Sequence, residues 1–260
     1  MIQCCTSSAI QRALDYIGQD YSECIYLYLN LKKYGIDNPN VTVWLVEQQQ
    51  SILGICLRYH ECLHLFSKEH NVDILDMQAL LLEQKPKVFF CSANIEAHLK
   101  KAWLRNYKKE TMDVFEAVPM PEDESRLIYV AKEKDLEKVA RFMMTDPTFS
   151  EIYNLSSLTA QLRQRMKDRF GRIFYTCEEG EIAATAMTYA ELENMAVFSG
   201  LLTAKKYRKM GLCSAVLAKL TNQLIQEKKR VFCLVTVEAS RKLMLKMGFA
   251  VVGHVSKYHL

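Results

Sequence analysis

The chain has 260 residues, half of them hydrophobic and a quarter charged, with only 9 Gly and 5 Pro. That mass of apolar residues can build one large core or two small ones, and it excludes a collagenous, low-complexity or largely disordered protein. A formal net charge of +4 is too mild to predict a nucleic-acid partner, and no apolar run approaches membrane-spanning length.

The opening residues, MIQCCTSSAIQRALDYIG, lack a cationic end followed by a long apolar core, so no signal peptide is predicted. Nine scattered Cys without a CxxC pair predict buried, reduced thiols rather than a zinc ribbon or redox dithiol. The expectation is a soluble, cytoplasmic protein with no membrane partner.

In chain order, periodicity predicts helices over 9–17 and 22–31, with Lys33-Tyr34-Gly35 as a stop. Strands follow over 41–47, 51–59 and 62–66. A helix over 76–83 leads to a strand at 88–91, then a helix over 94–104 and a strand over 113–118. Two prolines and an acidic patch in Val118-Pro119-Met120-Pro121-Glu122-Asp123-Glu124-Ser125 interrupt the pattern as a linker does. This divides the chain into a domain at 1–118, a linker at 119–125 and a domain at 126–260.

The second domain reads as a strand over 126–131, helices over 135–144 and 156–170, and two strands, 172–177 and 181–190. Glu178-Glu179-Gly180 joins those strands as a hairpin. A strand over 195–203 enters a basic turn, and a helix over 212–227 carries Leu212, Val216, Leu220 and Leu224 on one stripe. A strand over 231–235, a helix over 238–247 closed by Gly248, and a strand over 250–260 end the chain. The two halves share this order, which predicts a diverged duplication.

The most informative stretch is LLTAKKYRKMGLCS, residues 201–214. A strand, a short cationic loop with a glycine, and a helix N-terminus form an arrangement that binds phosphate. The first-turn N–H groups have no intrahelical partner, and the macrodipole adds positive charge. Lys205, Lys206, Arg208 and Lys209 supply further charge.

Arg208-x-x-Gly211-x-Cys213, the flanking Thr203, Tyr207, Leu212 and Ser214, and Lys246-Met247-Gly248-Phe249 farther on resemble the GNAT superfamily of N-acetyltransferases over about residues 127–260. The first half, at 54–67 above all (GICLRYHECLHLFS), resembles the catalytically silent GNAT-like domain of tandem members, without a phosphate loop. The resemblance implies an α/β fold: tandem domains, each a central, mostly antiparallel sheet flanked by helices and splayed at its central strands. It implies acetyl-CoA as cosubstrate. On that resemblance the amides of Arg208, Lys209, Met210, Gly211, Leu212, Cys213 and Ser214 are expected to hold the pyrophosphate. The backbone of Leu201, Leu202 and Thr203 is expected to pair with the pantetheine arm, and Val237 and Ser240 are the further CoA-contacting positions the resemblance implies. Cys213 stands where the family has Gly or Ala; a reactive thiol at a helix N-terminus is the minor reading, a packed inert one the major.

The family's catalytic positions carry no matching side chain. The general base falls near Val197, the general acid on Met244 and a CoA-contacting Asn on Val237. Glu191, Glu193 and Tyr189 lie close in sequence and are read equally as polar residues of a strand connection, so no catalytic residue is assigned. The acceptor pocket falls on the least patterned segments, 149–155 and 189–195.

A competing motif, His60-Glu61-Cys62-Leu63-His64, matches H-E-x-x-H, with His70 at a third-ligand position. Zinc chemistry needs both histidines on one helix face. The β-branched and aromatic flanks predict a hairpin bend at His60-Glu61 instead, so no metal is expected. The leading expectation is transfer of an acetyl group to a primary amine of a small molecule or protein. The alternatives are an acyl-CoA-binding module without turnover and a zinc metalloprotease.

Overall fold

The computed structural model describes residues 1–19, 21–69, 74–151 and 153–260, save for the side chain of Thr148. In chain order the first elements are β1 (Ile2–Cys4), α1 (Ile10–Ile17), α2 (Ile25–Tyr34), β2 (Val41–Gln48), β3 (Ser51–Tyr59) and β4 (Cys62–Phe66). There follow α3 (Leu75–Gln84), β5 (Val88–Ser92), α4 (Ala93–Glu96) and β6 (Lys108–Glu116). The order then repeats with β7 (Ile128–Val130), α5 (Leu136–Met143), α6 (Pro147–Ser150), α7 (Leu155–Lys167), β8 (Ile173–Glu178), β9 (Glu181–Glu191) and β10 (Met195–Thr203). It closes with α8 (Leu212–Gln226), β11 (Arg230–Val235), α9 (Glu238–Lys246) and β12 (Ala250–His259). The fold is α/β, with a mostly antiparallel sheet and flanking helices.

Two compact units result, Met1–Val114 with Leu234–Arg241 and Val251–Leu260, and Phe115–Cys233 with Lys242–Ala250. Chain order alone assigns residues 250–260 to the second domain, whereas β12 pairs antiparallel with β5, Val255↔Ser92 through His259↔Val88, inside the first unit. Neither unit is therefore continuous in sequence.

In the first unit the strands lie in the order β1-β2-β3-β4-β5-β12-β6. β4 and β5 are parallel, Cys62↔Val88 to Leu65↔Cys91, because α3 crosses over between them. Phe89, Leu63, Leu65, Cys56, Met77 and Leu81 fill the core, and Phe89 stacks on Tyr258 with centroids 4.6 Å apart. The helix predicted over 94–104 is instead α4 and a separate 3₁₀ turn, Lys101–Leu104. Within that span only Ile95 and Leu99 are buried, too little apolar contact to hold three helical turns. β6 begins five residues before the predicted start at 113. Two of its charged residues are paired, Lys109 with Glu96 and Glu110 with Lys257 at 3.0 Å, so charge does not end the strand.

The H-E-x-x-H motif forms the predicted hairpin. Tyr59 pairs with Cys62, His60 and Glu61 make the turn, and His64 lies in β4, 5% exposed. A strand cannot bring positions 60 and 64 together as a helix does, and His70 lies outside the described residues. Among the described residues no three His, Cys, Asp or Glu side chains are grouped to hold a metal ion.

His64 stacks on Phe90, ring centroids 5.2 Å apart, and its Nε2 is 3.6 Å from Cys62 Sγ. Burial depresses its pKa from 6.5 to about 3. The unfolded chain thus binds a proton between those values that the folded chain refuses. This contribution is full above pH 6.5 and is lost as pH falls toward 3, at up to about 1.4 kcal/mol per pH unit. Urea unfolding at pH 7.5 and 5.5 is expected to show a loss about 1 kcal/mol greater for the wild type than for His64→Leu; equal losses would refute the assignment.

The second unit has the strand order β11-β10-β9-β8-β7, antiparallel except for β10 with β11. The helix predicted to start at 156 starts at Leu155. Asn154 caps it: its side chain accepts from the Ser157 N–H at 2.8 Å, while Ser157 Oγ accepts from the Asn154 N–H at 3.1 Å. Val139, Ala140, Met143, Leu158, Leu162, Ile173 and Met187 form one core cluster between α5, α7 and the sheet. On α8, Val216, Leu217, Leu220 and Leu224 are buried. The 119–125 segment is tied to this helix. Asn222 accepts from the Met120 N–H at 2.9 Å and donates to the Met120 carbonyl at 2.7 Å, and Lys219 pairs with Glu122 at 2.8 Å.

Candidate functional site

The site is built on β10. On one side it pairs with β9, Ala196↔Glu191 through Thr203↔Ala184, with an irregularity between Ser199 and Leu202. Three residues advance on β10 while two advance on β9, so one extra residue bulges out. Gly200 occupies the bulge at φ +59°, and its carbonyl accepts from the buried Thr185 hydroxyl at 2.9 Å. On the other side β10 pairs with β11 only over Met195↔Arg230 to Val197↔Phe232. Beyond Val197 the strand has no partner on that side among the described residues. Those of its backbone groups between Phe198 and Thr203 that point away from β9 form an edge able to take an added strand, with the Thr203 carbonyl accepting from Arg208 Nε at 3.5 Å.

The open edge runs into the cationic turn. The Ala204 N–H donates to the Ala183 carbonyl at 2.9 Å, and a 3₁₀ turn, Lys205–Tyr207, follows. Tyr207 is buried and its hydroxyl donates to Glu179 at 2.8 Å, anchoring the turn to the β8–β9 hairpin. Lys206 also pairs with Glu179 and with Glu181, at 3.3 and 3.4 Å. Its charge is thus offset within the protein. Lys205, Arg208, Lys209 and Gly211 are exposed.

Lys209 (φ +67°) and Gly211 (φ +78°) turn the backbone sharply on either side of Met210. Gly211 is then the N-cap of α8, and no side chain caps the helix. The first-turn N–H groups thus lack a capping side chain and lie next in sequence to exposed cations, an arrangement suited to an anion. Leu212 is buried, while Cys213 and Ser214 are half-buried. Burial pushes the Cys213 thiol above its ordinary pKa, against a smaller opposing effect of the Thr203 hydroxyl. It is a packed thiol, not an activated one.

The structure thus brings Leu201, Leu202, Thr203 and residues 208–214 into one continuous edge, turn and helix start. Val237 is exposed and Ser240 half-buried at the start of α9, in a segment belonging to the first unit.

At the positions where catalytic side chains were expected, Val197 is 2% exposed and Met244 1%. Of the three substitutes, Glu193 is exposed. Tyr189 lies under the Arg165 guanidinium, 4.4 Å from the ring centre, and Arg165 donates to its carbonyl. Glu191 is buried and committed elsewhere. It accepts from Arg172 Nε at 2.8 Å, from a second Arg172 nitrogen at 2.6 Å, and from the Thr188 hydroxyl at 2.7 Å. Periodicity gave no sign of this network, of the Tyr207–Glu179 anchor, or of α6. Phe249 of the Gly-Phe pair packs edge-on against Phe198, centroids 5.8 Å apart, at the residue where β10 leaves β11.

Residues 136–249 match the family model for the acetyltransferase (GNAT) family. A search of curated proteins returns no match. Among solved structures, a GCN5-related N-acetyltransferase from Sphaerobacter thermophilus superposes with a TM-score of 0.68 at 12% identity, over 100% of this chain and 95% of that one. A GNAT-family acetyltransferase from Colwellia psychrerythraea gives 0.63 at 15% identity, over 100% and 99%. A tandem GNAT protein from the clavulanic acid biosynthesis pathway gives 0.61 at 11% identity, over 100% and 98%. At these identities the superpositions establish a shared fold, and the family match at 136–249 gives that fold its name. The chain carries a domain of the acetyltransferase (GNAT) family at residues 136–249 and has the fold of GNAT proteins along its length.

Proposed function

We propose that the second unit binds acetyl-CoA and transfers its acetyl group to a primary amine of a small molecule or protein. One observation carries this reading: the open edge of β10 leads through an exposed cationic turn to the uncapped N-terminus of α8. A ligand with an extended amide arm ending in a pyrophosphate matches both parts. The amides of residues 208–214, with Arg208 and Lys209, hold the phosphates, and the backbone of Leu201, Leu202 and Thr203 pairs with the arm. Acetyl-CoA supplies an activated acyl group to such a site.

A lysine-like amine with a pKa near 10 must lose a proton before it attacks. No side chain is assigned as base. Positioning of the amine and polarisation of the acyl carbonyl by backbone N–H groups are the contributions this strand offers. The nine cysteines are all free thiols, which suits the reducing cytoplasm where we place the protein. Among the described residues no helix is long and apolar enough to cross a membrane.

A second reading, an acyl-CoA-binding module without turnover, draws on the buried, apolar Val197 and Met244. Thermal unfolding with and without CoA tests both. At a hundredfold excess over Kd, CoA adds about 2.7 kcal/mol to stability, a rise of several degrees. No rise removes both readings. Release of free CoA thiol from acetyl-CoA with an amine panel separates enzyme from binder, and EDTA is expected to leave the melting point unchanged.

A further inference from the structure

The open edge of β10 is bounded at both ends. The cationic turn closes it after Thr203, and β11 closes it before Phe198 by pairing with Val197. If the arm lies along this edge, as the proposed function requires, its thioester end stops beside Phe198, Ser199 and Gly200. Two kinds of wall meet the acyl group there.

Phe198 is 5% exposed and backed edge-on by Phe249. Gly200 has no side chain, and its side-chain space is already filled. A Cβ built there would overlap Met187 Cγ, lie 2.6 Å from Met187 Sδ and 3.6 Å from Met143 Cε. Both methionines are buried, Met187 at 6% and Met143 at 0%, in the cluster rimmed by Phe142, Met144, Phe149, Tyr153 and Leu202. All of these side chains are apolar or aromatic, so the space under the bulge suits hydrocarbon and nothing charged.

We propose that Met187, backed by Met143, limits the length of the acyl group, filling the space under Gly200 so that acetyl fits and longer chains do not. Met187 is thus a specificity-determining residue. Truncating it removes Cγ, Sδ and Cε from beneath the bulge and makes room for two or three methylenes. Each buried methylene is worth about fourfold in binding, so a four-carbon chain gains about tenfold or more over acetyl.

The test measures the binding of free CoA, acetyl-CoA, butanoyl-CoA and hexanoyl-CoA to the full chain by calorimetry, with thiol release as a second readout. For the wild type, acetyl-CoA is expected to bind at least as tightly as CoA, and hexanoyl-CoA at least tenfold more weakly than acetyl-CoA. In Met187→Ala the butanoyl-to-acetyl affinity ratio rises about tenfold, and in Met143→Ala it rises by less. Met187→Val, a β-branched residue suited to β9 that also removes Sδ and Cε, covers a failure of the alanine variant to fold. A wild type that binds hexanoyl-CoA as well as acetyl-CoA overturns the proposal. So does a ratio unchanged within twofold in folded Met187 variants that still bind CoA. A wild type that binds no CoA overturns the proposed function instead.

Discussion

Arg172→Ala is expected to destabilise the second unit by about 3 kcal/mol. Arg172 stands just before β8 and bridges two carboxylates. It contacts Glu191 at the end of β9 at 2.6 and 2.8 Å, and Glu227 just past the end of α8 at 2.6 and 2.8 Å. The Glu191 side chain is only 5% exposed, so removing its partner leaves a buried charge uncompensated, which costs about 3–5 kcal/mol. Arg172 itself is 24% exposed, so water reaches part of the network and the low end applies.

Hydrogen bonding from Arg172 holds the Glu227 pKa below its ordinary 4.5. That part of the stabilisation is full above pH 4.5 and is lost as pH falls through the lowered folded value. Urea unfolding at pH 7 measures the loss. Adding Glu191→Gln in the Arg172→Ala background removes the stranded charge and is expected to recover part of it. A loss under 1 kcal/mol means that the network contributes rigidity and not stability; a full loss without recovery means that the stabilisation does not come from neutralising Glu191. The same geometry occupies both Glu191 oxygens, which are held by Arg172 and Thr188.

The stretch proposed to bind an anion was legible in the sequence because its chemistry is local. A strand, a cationic turn with Gly211 and a helix start are contiguous, and each has a short-range signature. The α8 stripe was legible for the same reason, since burial at helical spacing is written in the residues themselves. Other features depend on partners distant in sequence. The bulge at Gly200 is visible only against the register of β9, and Gly200 is bare because Met187 occupies its space. Tyr207 is held by Glu179, and Arg172 joins positions 19 and 55 residues away.

The pairing of β12 with β5 joins residues more than 160 apart, which no local period encodes. Short elements such as β1 and α6 fall below the window in which periodicity can be read. Where the family pattern expects polar catalytic side chains, the chain has buried Val197 and Met244. That departure was readable at once, and the structure makes it sharper by showing both inside the core.

Gly211→Val is expected to weaken CoA binding about a hundredfold while lowering the melting point by only a few degrees. Gly211 has φ +78°, a conformation that a β-branched residue adopts only under strain of about 1–2 kcal/mol. A side chain there meets nothing within 4 Å, so the substitution disturbs no packing. What it disturbs is the open space at the first turn of α8, where the proposed function brings a phosphate to the backbone N–H groups. Losing one or two charge-assisted hydrogen bonds, each worth about 1.5–3 kcal/mol, gives the expected factor.

Gly211→Asn separates strain from obstruction. Asn tolerates this backbone conformation, so its melting point is expected to stay near that of the wild type. Its side chain still stands in the approach, and CoA binding is expected to fall at least tenfold. Calorimetric titration of both variants with CoA, alongside thermal unfolding, gives the comparison. If both bind CoA within threefold of the wild type, the phosphates sit elsewhere and the turn at 208–214 is only a connection between β10 and α8.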